Sequence, residues 1–244
     1  MRSLLLLGLV ACGSAAPASP APPAAPIVVV ISATAEWKAI ALPDKRIADT
    51  PHGEWFTHRF GDRDVVFFHG GFGKVAAAAS TQYGIERWRP RLLVNLGTCG
   101  GFAERKVGDI VLADKTIIYD ILEQMGDADE TIRDYSSDLD VSKWPLRDKV
   151  IVGPIVSGDR DLVPADLPML ASKYKASVGD WESGAIAWTA RKNKTPVLIL
   201  RAVTDVVDHR GDNPTYGNMD AWVKQTKIEM ARLIDLFATA LPSL

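Results

Sequence analysis

Three carboxylates stand where an α/β protein would place a reactive site. Glu36 follows the apolar run Ile27–Ile31 by a few residues, and Glu182 opens a helical stretch in Gly179-Asp180-Trp181-Glu182-Ser183-Gly184. Asp205 ends the run Val197-Leu198-Ile199-Leu200-Arg201-Ala202-Val203-Thr204-Asp205. Two carboxyl groups in different surroundings can divide acid and base work on one substrate, one keeping its proton and the other orienting water. Each acid alone has a plainer use. Glu36 and Glu182 suit helix N-termini, where the dipole favours negative charge, and Asp205 could cap the next segment. Two glycine loops between them shift the balance toward a shared site.

The first loop, Gly71-Phe72-Gly73-Lys74-Val75-Ala76, satisfies the loose dinucleotide pattern GxGxxA. The next strand, Leu92-Leu93-Val94-Asn95, lacks the acid that would hold a ribose hydroxyl, which argues against a nicotinamide cofactor. Val75 stands where a P-loop needs Ser or Thr for magnesium, which argues against nucleoside triphosphate hydrolysis. The glycines also permit a tight strand-to-helix turn. The second loop, Gly97-Thr98-Cys99-Gly100-Gly101, brings backbone N–H groups and the Thr98 hydroxyl toward a ligand, or is likewise a turn. Cys99 has no evident His partner and is expected to pack near the ligand rather than attack it. His52, His58, His69 and His209 show no metal-ligand spacing and read as scattered surface residues, so neither metal nor cofactor is expected.

These residues need elements to hold them. Ile27–Ile31 is a β-branched run of the kind buried on both faces of a sheet. Comparable runs recur at Val65–Phe68, Leu92–Val94, Ile110–Leu112, Thr116–Ile118, Val150–Val152 and Val197–Leu200. Helical patterns cover Lys74–Trp88, Glu182–Arg191 and Met219–Ala240, the last with an apolar face that suits docking on a sheet. The alternation predicts an α/β domain over residues 27–244: a three-layer sandwich with a central mixed, mostly parallel sheet. Ligands of such sheets sit beyond the carboxyl ends of the strands, where the three acids and both loops fall.

Upstream of Ile27 the composition changes. One arginine followed by Leu4–Val10 is a secretory signal pattern, too short to span a bilayer. The stretch Leu9-Val10-Ala11-Cys12-Gly13 resembles a bacterial lipobox, so residues 1–11 are expected to be removed and Cys12 lipidated. Residues 15–26 are Ala and Pro except for Ser19, and residues 12–26 read as an extended, solvated tether. The expected location is the cell envelope, lipid-anchored on the periplasmic side, or else secreted into the periplasm. Membrane contact is expected through the anchor alone.

Of 244 residues, 28 are Lys or Arg and 30 Asp or Glu, a net charge of -2 that leaves no basic surplus for nucleic acid. The chain's two cysteines cannot build a disulfide framework.

From Ile27 to about His209 the chain resembles the nucleoside phosphorylase superfamily, and within it the methylthioadenosine/S-adenosylhomocysteine nucleosidases. The resemblance rests on ordered stretches: Val29–Glu36, Gly71–Ala76 with Gly97–Gly101, Lys106-Val107-Gly108-Asp109-Ile110-Val111, and Trp181-Glu182-Ser183 followed by Arg201-Ala202-Val203-Thr204-Asp205. It implies a cofactor-free purine nucleosidase and a homodimer whose partner completes the pocket. It assigns Asp205 as the acid that protonates purine N7 and Glu36 as the group that orients and deprotonates water. Glu182 would hold the ribose hydroxyls and Trp181 would lie against the sugar. Thr98 and Arg201 would support the water, and Phe72, Cys99, Gly100, Leu162 and Thr204 complete the expected pocket.

The nucleophile separates hydrolysis from the alternative, phosphorolysis. Phosphorylases of the superfamily hold phosphate with arginines. One lies just before the second glycine loop, where this chain has Asn95, and another after the first strand, where Ser32–Trp37 contains none. Burying phosphate without those charges is costly, so hydrolysis is favoured. A non-catalytic nucleoside-binding lipoprotein is the third reading. Two departures stand out. Asp161 occupies a position usually aromatic, where the ring stacks on adenine; Phe72 or Tyr216 could stack instead, and the departure leaves guanine or a modified purine open beside adenine. Asp180 replaces a longer Glu.

Overall fold

The computed structural model describes residues 25–142, 144–207 and 214–244. The expected signal segment, Cys12, nearly all of the tether, and His209 lie outside the described residues.

The elements run β1 (Ile27–Ile31), α1 (Thr34–Ala39), β2 (Ala48–Thr50), β3 (Gly53–Phe60), β4 (Arg63–His69), α2 (Gly73–Trp88), β5 (Leu92–Gly101), β6 (Ile110–Ile118), α3 (Ala128–Asp134), β7 (Ser136–Asp138), β8 (Ile151–Ser157), α4 (Leu167–Tyr174), β9 (Val178–Asp180), α5 (Ser183–Lys192), β10 (Val197–Val206) and α6 (Met219–Ala240). β1 lies between β4 and β5, parallel to both, and β5 also pairs in parallel with β10. β3 and β2 extend the open side as antiparallel edge strands.

The opposite half closes on itself. β10 pairs with β6, β6 with β8, β8 with β9, and β9 returns to β5. Strands β5, β10, β6, β8 and β9 therefore form a ring attached to an open sheet through β5. Closure removes an exposed sheet edge beside the site. No periodicity in the sequence announces it, because closure depends on which strands meet and not on the pattern within any one.

The layers follow from alternation along the strands. Ile27, Val29, Ile31, Val65, Phe67, Val94 and Leu96 face α1 and α6, packing on Trp37, Met230, Leu233 and Phe237. Val28, Val30, Val66, Phe68 and Leu93 face the other way, onto Ala77 of α2 and Ala185, Ile186 and Ala190 of α5. Both faces of β1 are thus covered, as its unbroken β-branched run requires.

Two bulges shape the ring. The apolar runs at 110–112 and 116–118 are one strand whose pairing with β8 slips between Ala113 and Lys115, which is why the sequence shows two short runs. In β10 the slip lies between Val203 and Asp205. Thr204 is the extra residue, and Asp205 comes to lie opposite Gly100 instead of one position further on. Bulges that re-aim a side chain are common beside active sites.

Candidate active site

A cleft of about 550 Å³ opens at the carboxyl ends of β1, β5 and β10. Glu36, Phe72, Thr98, Cys99, Gly100, Leu162, Trp181, Glu182 and Asp205 all line it. Arg201 and Thr204 do not; both are fully buried behind its wall.

Glu36 sits in the first turn of α1, directly after β1. Its Oε2 accepts the Ala33 N–H at 3.1 Å, which secures the helix start. Its Oε1 accepts the Thr98 N–H at 2.5 Å and the Thr98 hydroxyl at 2.8 Å. The carboxylate is 2 % exposed, yet it forms part of the cleft wall. A buried acid this well supplied with donors is held in one orientation toward whatever occupies the cleft.

Arg201 organises this end. Its Nε lies 2.8 Å from Asp180 Oδ2, Nη1 3.7 Å from Glu36 Oε1, and Nη2 3.5 Å from Glu182 Oε2. It also donates to the Ser183 hydroxyl, the Asn95 side-chain oxygen and the Thr98 carbonyl. A guanidinium suits this task because its planar fork presents several donors at fixed angles. Gly97 makes the approach possible, for a Cβ there would lie 2.1 Å from Arg201 Nη1. Asp180 is anchored in turn by the Ser157 hydroxyl at 2.6 Å and by the Ser183 hydroxyl.

One cation faces three carboxyl groups, so their joint ionisation is opposed. Glu182 yields most. Burial holds its carboxyl above the ordinary range, Asp180 and Glu36 push the same way, and Arg201 opposes them. Glu182 Oε1 accepts the Gly73 N–H at 3.1 Å. That bond requires the backbone of the first glycine loop, where Gly71 and Gly73 both have φ +81°, a conformation glycine adopts without strain.

Asp205 lies at the other end of the cleft. Burial raises its carboxyl to about 6, the Thr204 hydroxyl works against that shift, and Asp161 reinforces it. Thr204 Oγ1 donates to Asp205 Oδ1 at 3.0 Å and reaches the Cys99 carbonyl at 3.4 Å. An acid near 6 holds an appreciable share of protons close to neutrality and can deliver one to a basic ring nitrogen. The Cys99 thiol is driven up by burial and by Asp180, the reverse of an activated nucleophile.

The mouth is aromatic. Phe72 and Trp181 contact each other with ring centroids 4.6 Å apart. Tyr216 lines the far wall with Met219 and Trp222 from the start of α6, and its hydroxyl donates to the Leu162 carbonyl at 2.8 Å. Met219 and Trp222 escaped sequence reading, since nothing in their spacing separates a helix start that walls a cleft from one that faces solvent. Asp180 and Ser183 were also not recognised as supports of Arg201. Asp161 reaches the cleft wall as an exposed acid.

The histidines require a correction. His69 is not a surface residue: it is half-buried and stacks on Trp37 at 5.4 Å, and burial lowers its pKa. Its place at the end of β4, packed beneath α1, buries it. Among the described residues no group of His, Cys, Asp and Glu is arranged to hold a metal ion.

Comparison with known proteins bears on the family and the fold. A 5′-methylthioadenosine/S-adenosylhomocysteine nucleosidase of Staphylococcus haemolyticus is 27% identical over 205 residues, covering 76% of this chain and 89% of the relative. The solved structure of an S-adenosylhomocysteine nucleosidase from Streptococcus pyogenes, in complex with 5-methylthiotubericidin, shares the fold with a TM-score of 0.72 at 20% identity, covering 91% of this chain and 98% of the other. A 5′-methylthioadenosine/S-adenosylhomocysteine nucleosidase from Neisseria meningitidis, in complex with methylthio-immucillin-A, has a TM-score of 0.70 at 22% identity, covering 89% and 99%. Residues 27–239 match the phosphorylase superfamily, and the chain belongs to that superfamily.

Proposed function

We propose that this protein hydrolyses the N-glycosidic bond of a purine nucleoside, of the 5′-methylthioadenosine or S-adenosylhomocysteine type. The observation that carries this reading is the pairing of a buried, donor-held Glu36 with a protonatable Asp205 across one cleft. The substrate type is supported by the relatives named above.

The chemistry follows from that pairing. Asp205 donates its proton to N7, so the C1′–N9 electron pair leaves with a neutral purine. Positive charge grows on the ribose ring, where Glu182 holds the hydroxyls and Glu36 supplies compensating negative charge. Glu36 orients a water at C1′ and takes its proton as the new C–O bond forms. Holding water and sugar together removes an orientational cost that free water would bear. Arg201 acts through the carboxylates and not on the substrate.

Arg201 also bears on the choice against phosphorolysis. Its charge is already shared among Asp180, Glu36 and Glu182, so it has little left for a phosphate dianion. The test is a panel of purine nucleosides incubated with and without phosphate, with free base read by chromatography. Base release without phosphate is expected. Strict phosphate dependence would reverse the reading, and tight binding without turnover would point to a binding protein.

Two further parts of the reading concern assembly and location. The protein pairs as a homodimer through the exposed apolar side chains of Phe72 and Val75 by the cleft mouth and of Leu122 and Met125 nearby in the chain after β6. The Lys74–Asp120 ion pair joins these two segments. Light scattering at twice the chain mass is expected. Cys12 carries a lipid that anchors the domain at the cell envelope; incorporation of labelled fatty acid, lost in Cys12→Ser, is the check.

A further inference from the structure

The end of the sheet opposite the cleft is distinctive in charge. β1, β4, β5 and β10 run parallel, and the cleft lies beyond their carboxyl ends, so the chain enters the domain at the other end. There the Pro26 carbonyl accepts from Arg91 N and the Pro196 carbonyl from Leu93 N. This end carries Arg63 as the first residue of β4, Arg89 and Arg91 between α2 and β5, and Lys194 between α5 and β10. Arg87, in the last turn of α2, adds a fifth cation.

Arg87, Arg89, Arg91 and Lys194 are exposed, and Arg63 is half-buried. Arg63 donates to the neutral Pro242 carbonyl, and Arg91 to an oxygen of the Leu244 carboxylate, which offsets one of the five charges. Their charges stand close enough that Arg63, after burial, helps lower the Arg91 pKa. Arg87 lies over the rings of Trp55 and Trp88 at 5.3 and 5.4 Å. The acids on these same segments are Asp62 and Glu86, with Asp64 engaged by Arg59. In a chain of net charge -2, a cluster of five cations around the point of entry is a segregation of charge and not a reflection of composition.

We propose that this basic end lies against an anionic phospholipid surface, turning the nucleoside cleft away from the membrane. The proposal rests on the lipid-anchor reading of Cys12 for its location, and on the surface alone for its direction. From Cys12 to Pro26 the chain can reach at most about 50 Å, enough for the domain to roll on its tether, so an anchor by itself selects no face. Attraction of Lys and Arg to anionic headgroups decays within a Debye length of roughly 8–10 Å and therefore does select one. A cleft facing away would stay open to soluble nucleosides.

The test uses the full chain with Cys12→Ser, which removes the acyl attachment point. Binding is measured by co-sedimentation with vesicles of phosphatidylglycerol and phosphatidylcholine, against vesicles of phosphatidylcholine alone. The neutral vesicles absorb any partition of the apolar leader. Anionic vesicles are expected to bind more of the protein, with the excess lost in high salt. Arg89→Asn with Lys194→Asn should reduce that excess by roughly tenfold or more and leave base release unchanged. Both positions have positive φ, which Asn tolerates, so the fold is spared. Equal binding to both vesicle types, or an undiminished excess in the double variant, would overturn the proposal. Labelled fatty acid incorporation into the unaltered chain reports separately on the anchor, so a failure of one reading is distinguishable from a failure of the other.

Discussion

The two ends of the cleft are built on opposite principles. At the Glu36 end the carboxyl groups are held by fixed donors, and one fully buried arginine of β10 ties together residues from β5, β9, α1 and α5. At the Asp205 end the carboxyl group has one hydroxyl partner, a neighbouring acid and an aromatic wall. The first arrangement fixes the orientation of a carboxylate. The second determines how tightly a proton is held. Position calls for many directional bonds, whereas at Asp205 burial with a single hydroxyl partner is enough to raise the carboxyl.

The sharpest way to break this contrast is Asp205→Asn, which keeps the shape and removes the proton. Base release should fall by roughly 10²- to 10⁴-fold, measured by chromatography of the free base. The same variant should gain stability above pH 6. The Asp205 carboxyl is raised from 3.8 to about 6 in the folded chain, so between those values the unfolded chain has already lost the proton that the native one keeps. Stability therefore declines as pH climbs from about 4 to about 6 and then levels off. Removing the group should recover about 1–3 kcal/mol at pH 8 and nothing below pH 4, read from urea unfolding at the two pH values.

Arg201→Met attacks the other end. It leaves three buried carboxyl groups without their shared cation, and a loss of about 3–5 kcal/mol is expected. The loss should be greater at pH 8 than at pH 5, because protonation relieves the orphaned acids. Equal denaturation midpoints for variant and parent would show that the guanidinium is not the keystone described.

The pH–rate profile sharpens the comparison further. With Asp205 as donor, kcat/KM should decline as pH rises through about 6, approaching tenfold per unit beyond it. The smallest expected effect is that of Asp161→Asn. Asp161 helps to raise Asp205, so its neutralisation should move this descending limb to lower pH by less than one unit. A limb that stays in place would remove Asp161 from the electrostatics of the base end.

Much of this was legible in the chain and some was not. The acids at 36, 182 and 205 could be found because each follows or opens an element with strong periodicity, and strand ends in α/β sheets converge by construction. The strand Gly53–Phe60 was not found, since its half-exposed pattern carries polar residues at half of its positions. Arg201 was singled out as a support for water. Its actual partners lie 18 to 165 positions away in the chain, a relation that no local window contains.

By itself the sequence determined the layered α/β order, the glycine turns, and the chemical types available at the strand ends. These depend on periodicity and on backbone conformations permitted to glycine, which are local properties. Tertiary structure alone decided which acid keeps a proton, which arginine is withdrawn from the substrate, and that half of the sheet closes into a ring. Proton affinity depends on burial and on charges brought close from distant parts of the chain, and those distances do not exist until the domain is folded.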